Sequence, residues 1–75
     1  MWEYRVMRRA EGIVTKYFTF GIHEVYYNKK GEIKTWTSES ITPHGGTIEE
    51  LRSDLRHMSL ALKKRVLDYE TGKEI

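Results

Sequence analysis

Three strand-like segments precede a single helical segment in this chain. Residues 2–8 and 32–38 alternate large apolar with polar side chains, and residues 15–27 between them are the longest run of aromatic and β-branched residues. Asn28-Lys29-Lys30-Gly31 predicts a type I turn that is closed by a left-handed glycine in a G1 bulge. These patterns together predict a three-stranded antiparallel meander.

The helical segment follows a loop that holds the only proline and a Gly45-Gly46 pair. Thr47 and Glu50 have the spacing of a capping box, in which each side chain accepts a hydrogen bond from the backbone amide of the other. Apolar residues then recur at intervals of three and four, which predicts a helix that ends near residue 64. These residues are Ile48, Leu51, Leu55, Met58 and Leu62.

The predicted architecture is a small α+β domain, β-β-β-α, with the helix packed on one face of the antiparallel β-meander. A chain of 75 residues has room for one domain, which we place at residues 1–70, with residues 71–75 as a flexible C-terminal tail. A domain of this size buries only about 60% of the surface that its unfolded chain exposes. Oligomerisation is therefore a common source of added stability for such chains.

The alternation in the middle strand separates a covered face from an open one. Phe18, Phe20 and Ile22 share one side, and we expect the helix to cover them. One helix covers one face, so the side chains of opposite parity are left to face water or a partner. We interpret this open face, with a residue of the third strand and one of the helix, as an interaction face. Its candidate residues are Tyr17, His23, Val25, Tyr27, Trp36 and Leu60. The alternative is an ordinary solvated face.

Charge and residue content narrow the possible chemistry. Thirteen Lys and Arg against eleven Asp and Glu give a formal net charge of +2, with no clustered basic footprint. The absence of cysteine excludes thiolate metal sites and thiol nucleophiles, and it suits a reducing cytosol. His23, His44 and His57 match no metal-binding spacing. We expect no catalytic, cofactor-binding or metal-binding residues, and no segment that spans a membrane or acts as a signal peptide.

The loop before the helix has some features of an anion site. Residues 44–47 combine two glycines with the free amides of a helix start, which are features of phosphate-binding loops. They lack the length and the lysine of such a loop, and Glu49 and Glu50 would repel an anion. We interpret the segment as a loop that ends in a helix cap.

Nucleic-acid binding is the alternative function. Tyr17, Tyr27 and Trp36, with lysines at positions 16, 29, 30 and 34, loosely match a sheet face that stacks single-stranded RNA bases. The small net charge and the acidic residues of the same hairpin region argue against it.

Several segments resemble a group of short bacterial proteins of unknown function. They are Gly21-Ile22-His23-Glu24-Val25-Tyr26-Tyr27, Gly31, Trp36-Thr37, Gly46-Thr47-Ile48-Glu49-Glu50-Leu51, Asp54-Leu55, Met58, Ala61-Leu62 and Val66-Leu67-Asp68-Tyr69. More distantly, three strands followed by a Gly-Thr-x-Glu-Glu-Leu helix are similar to the N-terminal domain of HicB-type antitoxins. That resemblance implies a partial ribonuclease-H-like fold that oligomerises and binds a small protein partner. It carries over no functional residues, because Ile41-Thr42-Pro43-His44-Gly45 replaces the Pro-Gly-Cys segment of that family.

The sequence thus predicts a cytosolic bacterial protein that acts by binding, without enzymatic activity or a cofactor. We expect a homodimer or a complex with another protein through the interaction face. Single-stranded RNA binding through the same aromatic face is the alternative, and its affinity would fall steeply with salt.

Overall fold

A mixed four-stranded sheet and one helix make up the protein. The computed structural model describes all 75 residues. The strands are β1 (Trp2–Glu11), β2 (Tyr17–Tyr27), β3 (Ile33–Trp36) and β4 (Leu67–Asp68), and the helix α1 is Ile48–Ala61. The sheet order is β3-β2-β1-β4, with antiparallel pairing throughout except that β4 runs parallel to β1. The α+β class and the antiparallel meander are confirmed, whereas the sheet has one strand more than the three predicted.

The turn between β2 and β3 has the predicted form. Gly31 has a φ of 82°, and its amide donates to the Asn28 carbonyl at 3.0 Å. The Asn28 amide donates to the Glu32 carbonyl at 2.9 Å, so Gly31 and Glu32 together oppose Asn28, as in a G1 bulge. A separate shift of register lies between Tyr26 and Tyr27. Local turn chemistry was therefore sufficient to place this hairpin.

The helix begins as predicted and ends earlier than predicted. The Thr47 hydroxyl accepts from the Glu50 amide at 3.1 Å, but the Glu50 carboxylate accepts from the Gly46 amide instead of the Thr47 amide. Leu62 caps the last turn, so the helix stops at Ala61 and not near residue 64. The early end lets the chain turn towards β1, where the Arg5 guanidinium donates to the Arg65 carbonyl at 2.8 Å. No helix of the structure is long and apolar enough to cross a membrane.

One side of the sheet, here the helix face, carries α1 and bears Tyr4, Val6 and Ile22 together with Phe18 and Phe20. The side chains on this face are the ones that the sequence pattern places there, but the helix covers fewer of them than predicted. The helix packs against β1, and Phe18 and Phe20 remain 56% and 63% exposed. A 14-residue helix is about 21 Å long, whereas an 11-residue strand is about 36 Å long. One end of the helix face is consequently left bare.

The opposite side of the sheet, here the tail face, is covered by the C-terminal segment (residues 66–75). Leu67 is fully buried with Met7 and Val25 in the central apolar cluster. Tyr69 packs edge-on against Trp36, with ring centroids 6.2 Å apart. The expectation that this face is open is wrong, because a two-residue strand adds to β1 and carries the following residues across it.

Residues 71–75, predicted as a flexible tail, fold back on the segment in the structure. The Gly72 amide donates to the Asp68 carbonyl at 2.7 Å, and the Ile75 amide donates to the Val66 carbonyl at 2.9 Å. Gly72 has a φ of 74°, and a Cβ there would lie 2.5 Å from the Trp36 ring. The segment therefore packs closely against the Trp36 indole at Gly72, where a larger side chain would not fit.

Candidate functional site

The structure separates the six residues of the predicted interaction face. His23 and Val25 are buried, and Trp36 and Tyr27 are half-buried under or beside the C-terminal segment. The His23 Nδ1 atom lies 2.9 Å from the Thr37 carbonyl oxygen, and its ring lies 5.6 Å from the ring of Tyr69. These four residues therefore belong to the interior of the tail face and do not form an open surface.

The other two predicted residues are exposed but lie far apart in the fold. Tyr17 is on the tail face at the start of β2, and Leu60 is on α1 beside the first residues of β1. Of the six, only these two are exposed.

A run of exposed apolar side chains lies on the hairpin arm, which we define as residues 9–20. All residues from Gly12 to Phe20 are exposed, and Ile13 and Val14 at the tip are 94% and 96% exposed. Phe18 and Phe20 lie on the helix face of the arm. Turns normally carry Gly, Asn, Asp or Pro, so two branched apolar residues at a tip are unusual. The arm is the part of the molecule that is least suited to water.

A second exposed apolar row runs along the outer side of the helix. Ile48, Leu55 and Leu62 repeat every seven residues, so they lie close to one line along the axis, and each is about half exposed or more. The helical pattern in the sequence thus comprised two rows. Met58 and Ala61 are buried beneath the helix, while this outer row remains in contact with solvent.

Between the helix and the start of β1 lies a groove with a volume of about 1260 Å³. Trp2, Tyr4 and Glu24 of the sheet line one side, and Glu50, Asp54 and Leu60 of the helix line the other. The Tyr4 hydroxyl donates to Asp54 Oδ1 at 2.5 Å and bridges β1 to α1. This bond raises the pKa of the Tyr4 phenol to about 12 and lowers the pKa of Asp54, which also accepts from the His44 amide.

Two further tyrosines are bonded to carboxylates near the same end of the sheet. The Tyr26 hydroxyl donates to Glu24 at 2.5 Å, and this bond raises the pKa of the phenol. Tyr27 is partly buried, which raises its pKa, and its hydroxyl donates to Glu3 at 2.6 Å. Burial also raises the pKa of Glu3, but hydrogen bonds from Lys64 and Tyr27 outweigh it and leave the pKa below its ordinary value.

The polar groups that line the groove are largely hydrogen-bonded to one another. Its carboxylates accept from phenols, from backbone amides and, at Glu3, from the Lys64 ammonium. The side chains of His44 and His57 make no hydrogen bond to a hydroxyl or carboxylate. In the loop before the helix, the His44 and Gly46 amides donate to Asp54 and Glu50. Those amides are therefore already hydrogen-bonded to carboxylates of the chain itself.

Sequence reasoning missed the arm because it treated Phe18 and Phe20 as core residues. The signal that could have identified it is the pair of branched residues at positions 13 and 14, which contribute an apolar tip where a polar turn is usual. No protein family model, curated protein or solved structure matches the chain. The functional interpretation therefore depends on the geometry of this α+β domain alone.

Proposed function

We propose that this protein is a non-enzymatic protein-interaction domain that forms a homodimer through the bare end of its helix face. The observation that carries the proposal is the exposure of Phe18 and Phe20 on the face where the helix packs. The lack of cysteine suits action in a reducing bacterial cytosol.

The energy available from covering the arm is substantial. Transfer of one large apolar side chain from water to a packed interior contributes about 1.5–3 kcal/mol. Phe18 and Phe20 are exposed together on one strand face, and the helix row of Ile48, Leu55 and Leu62 offers further apolar area. An isolated two-stranded hairpin is only marginally stable in water, so an arm of this composition gains order from a partner.

The shape of the molecule supports a second copy as the partner. Its radius of gyration is 13.4 Å, whereas a compact chain of this length has a radius of about 11 Å. Only nine of the 75 residues are buried, so the single chain has a small core for its size. Dimerisation would enlarge that core and enclose the projecting arm.

The RNA alternative loses its proposed surface. Stacking of bases requires an open aromatic sheet face, and the face chosen for it holds buried His23 and Val25 beneath the C-terminal segment. The Arg8 guanidinium lies over the ring of Phe18 on the arm, 4.1 Å from its centroid, so this cation already stacks on an aromatic ring of the chain itself. We therefore place protein binding ahead of RNA binding.

The mass of the protein in solution tests the proposal. Sedimentation of the wild-type chain at high micromolar concentration should give about twice 8.9 kDa, and Phe20→Glu should return the mass to that of one chain. The matched control is Thr35→Glu, which introduces the same charge at an exposed position of β3 and should leave the dimer intact. A wild-type protein that stays at 8.9 kDa throughout would contradict the homodimer.

A further inference from the structure

The outer edge of β2 is occupied over only part of its length. β3 pairs with residues from Val25 to Tyr27, and the chain after β3 continues along the edge. There the Thr37 and Ile41 amides donate to the carbonyls of Glu24 and Ile22. Beyond Ile22, towards the arm, the edge has no pairing strand.

This free stretch lacks the devices that protect sheet edges. Tyr17-Phe18-Thr19-Phe20 contains no charge and no proline, and its pairing with β1 has no bulge. An exposed, uncharged and β-prone edge of this kind is a template for another strand. Residues 17–20 thus form an exposed strand edge of the kind that proteins normally protect.

The other edge of the same arm is protected. β4 covers β1 at Met7 and Arg8, and the strand continues with charged side chains at Arg9 and Glu11. Arg9 and Glu11 form an ion pair at 3.3 Å on the tail face, beside that edge. The contrast between the two edges indicates which one receives a partner.

The direction of the free backbone groups follows from the alternation of the strand. The carbonyls of Ile22 and Glu24 point outwards, because both accept bonds from the chain beyond β2. Residues two apart in a strand point their N–H and C=O groups to the same side. Phe18 and Phe20 therefore present their amides and carbonyls to the open edge.

We propose that a second copy of this chain adds to this edge, with the two β2 strands antiparallel about a two-fold axis at Thr19. In that register Phe18 of each copy pairs with Phe20 of the other, and all four outward amides of the two copies are bonded. The identical segments are self-complementary, as a two-fold interface requires. The two sheets become one sheet of eight strands, and this proposal rests on the homodimer of the proposed function.

Other registers use the edge less well. A shift towards Ile22 brings the second copy against a carbonyl that is already bonded and against the Ser40 side chain, which lies 2.8 Å from the place of a Cβ at Gly21. A shift the other way pairs Phe20 with Lys16, which lies outside β2. The Thr19 register also sets the phenyl rings of both copies side by side on the helix face, where cross-strand aromatic pairs add stability.

A single cysteine tests the register, since the chain has no other thiol. At the axis the two Thr19 residues form a non-hydrogen-bonded pair, with Cα atoms about 4.5 Å apart, which lies within the range of a disulfide. Thr19→Cys should form a covalent dimer under mild glutathione oxidation at least about tenfold faster than the control. The control is Tyr17→Cys on the same face of the strand, whose two copies would lie roughly 13 Å apart along the strands.

Amide hydrogen exchange tests the backbone bonds in the unaltered chain. The Phe18 and Phe20 amides should exchange at least about tenfold more slowly at dimer concentrations than after dilution to the monomer. The amides of Ile13 and Val14 at the arm tip are the internal control and should exchange fast at both concentrations. Packing of side chains alone would not slow the two outward amides selectively.

The outcomes separate this proposal from the one on which it rests. A wild-type dimer with equal disulfide rates for Thr19→Cys and Tyr17→Cys, and with fast Phe18 and Phe20 amides, overturns the edge pairing and leaves the homodimer standing on another surface. A wild-type monomer overturns both. Masses that keep growing beyond two chains overturn the two-fold arrangement, because a two-fold pair uses the free stretch of β2 in both copies and leaves none for a third chain.

Discussion

The hydrogen bond from Tyr4 to Asp54 joins the helix to the first strand through two titrating groups. The pKa of Tyr4 rises from 10.0 to about 12, so the folded chain holds this proton more tightly than the unfolded chain does. Its stabilising contribution is complete below pH 10 and is lost as the pH approaches about 12. The pKa of Asp54 lies below 3.8, so its contribution is present above that pH and is lost as the pH falls further.

Removal of the Tyr4 hydroxyl should change the alkaline titration of the protein. In a phenolate absorbance titration, Tyr4→Phe should eliminate the component near pH 12, and the pKa of the Asp54 carboxyl should rise towards 3.8 in a carbon NMR titration. Tyr26→Phe is the control, because it removes a phenol that bonds to Glu24 and should leave the component near pH 12 in place. An unchanged alkaline component in Tyr4→Phe would assign it to another tyrosine.

At the residue scale, the sequence predicted the structural roles that depend only on residues close by in the chain. The Thr47 cap and the Gly31 turn follow from spacing and backbone geometry, and the structure has both. Arg5 and His23 are different, since each is buried only because the chain returns to them from positions 65 and 37. No pattern in the flanking residues reports such long-range contacts.

At the scale of elements, the C-terminal segment decides which face of the sheet is interior. β4 is only two residues long, so it has no alternation that a sequence analysis could detect. The strands and the helix were predictable because each repeats its pattern several times. The sequence did not predict which segment covers each face, because that depends on a short parallel pairing between Met7 and Leu67.

Two glycines with the same backbone conformation allow the contribution of this segment to be measured. Gly31→Ala should lower the free energy of unfolding by about 1 kcal/mol through left-handed strain alone, since no atom lies within 4 Å of its would-be Cβ. Gly72→Ala adds a collision with the Trp36 ring and should cost about 3 kcal/mol. Urea unfolding of both variants measures the difference. Equal costs would mean that the segment does not press on Trp36.

At the scale of the whole molecule, the small interior links stability to association. If the folded form is a dimer, a tenfold rise in protein concentration stabilises it by about 1.4 kcal/mol per mole of dimer. The urea midpoint of the wild-type chain should therefore rise with concentration. The Phe20→Glu variant should show a lower midpoint that is independent of concentration, and a constant wild-type midpoint would argue for a folded monomer.

The position of Leu67 in the central cluster also constrains how the chain can be made. Met7 and Val25 leave the ribosome early, but their apolar partner follows only after more than half of the chain has been added. During synthesis one side of the β1–β2 hairpin stays uncovered, and this core is complete only when Leu67 has emerged. A nascent chain stalled before residue 67 would be a natural target for chaperones and proteases.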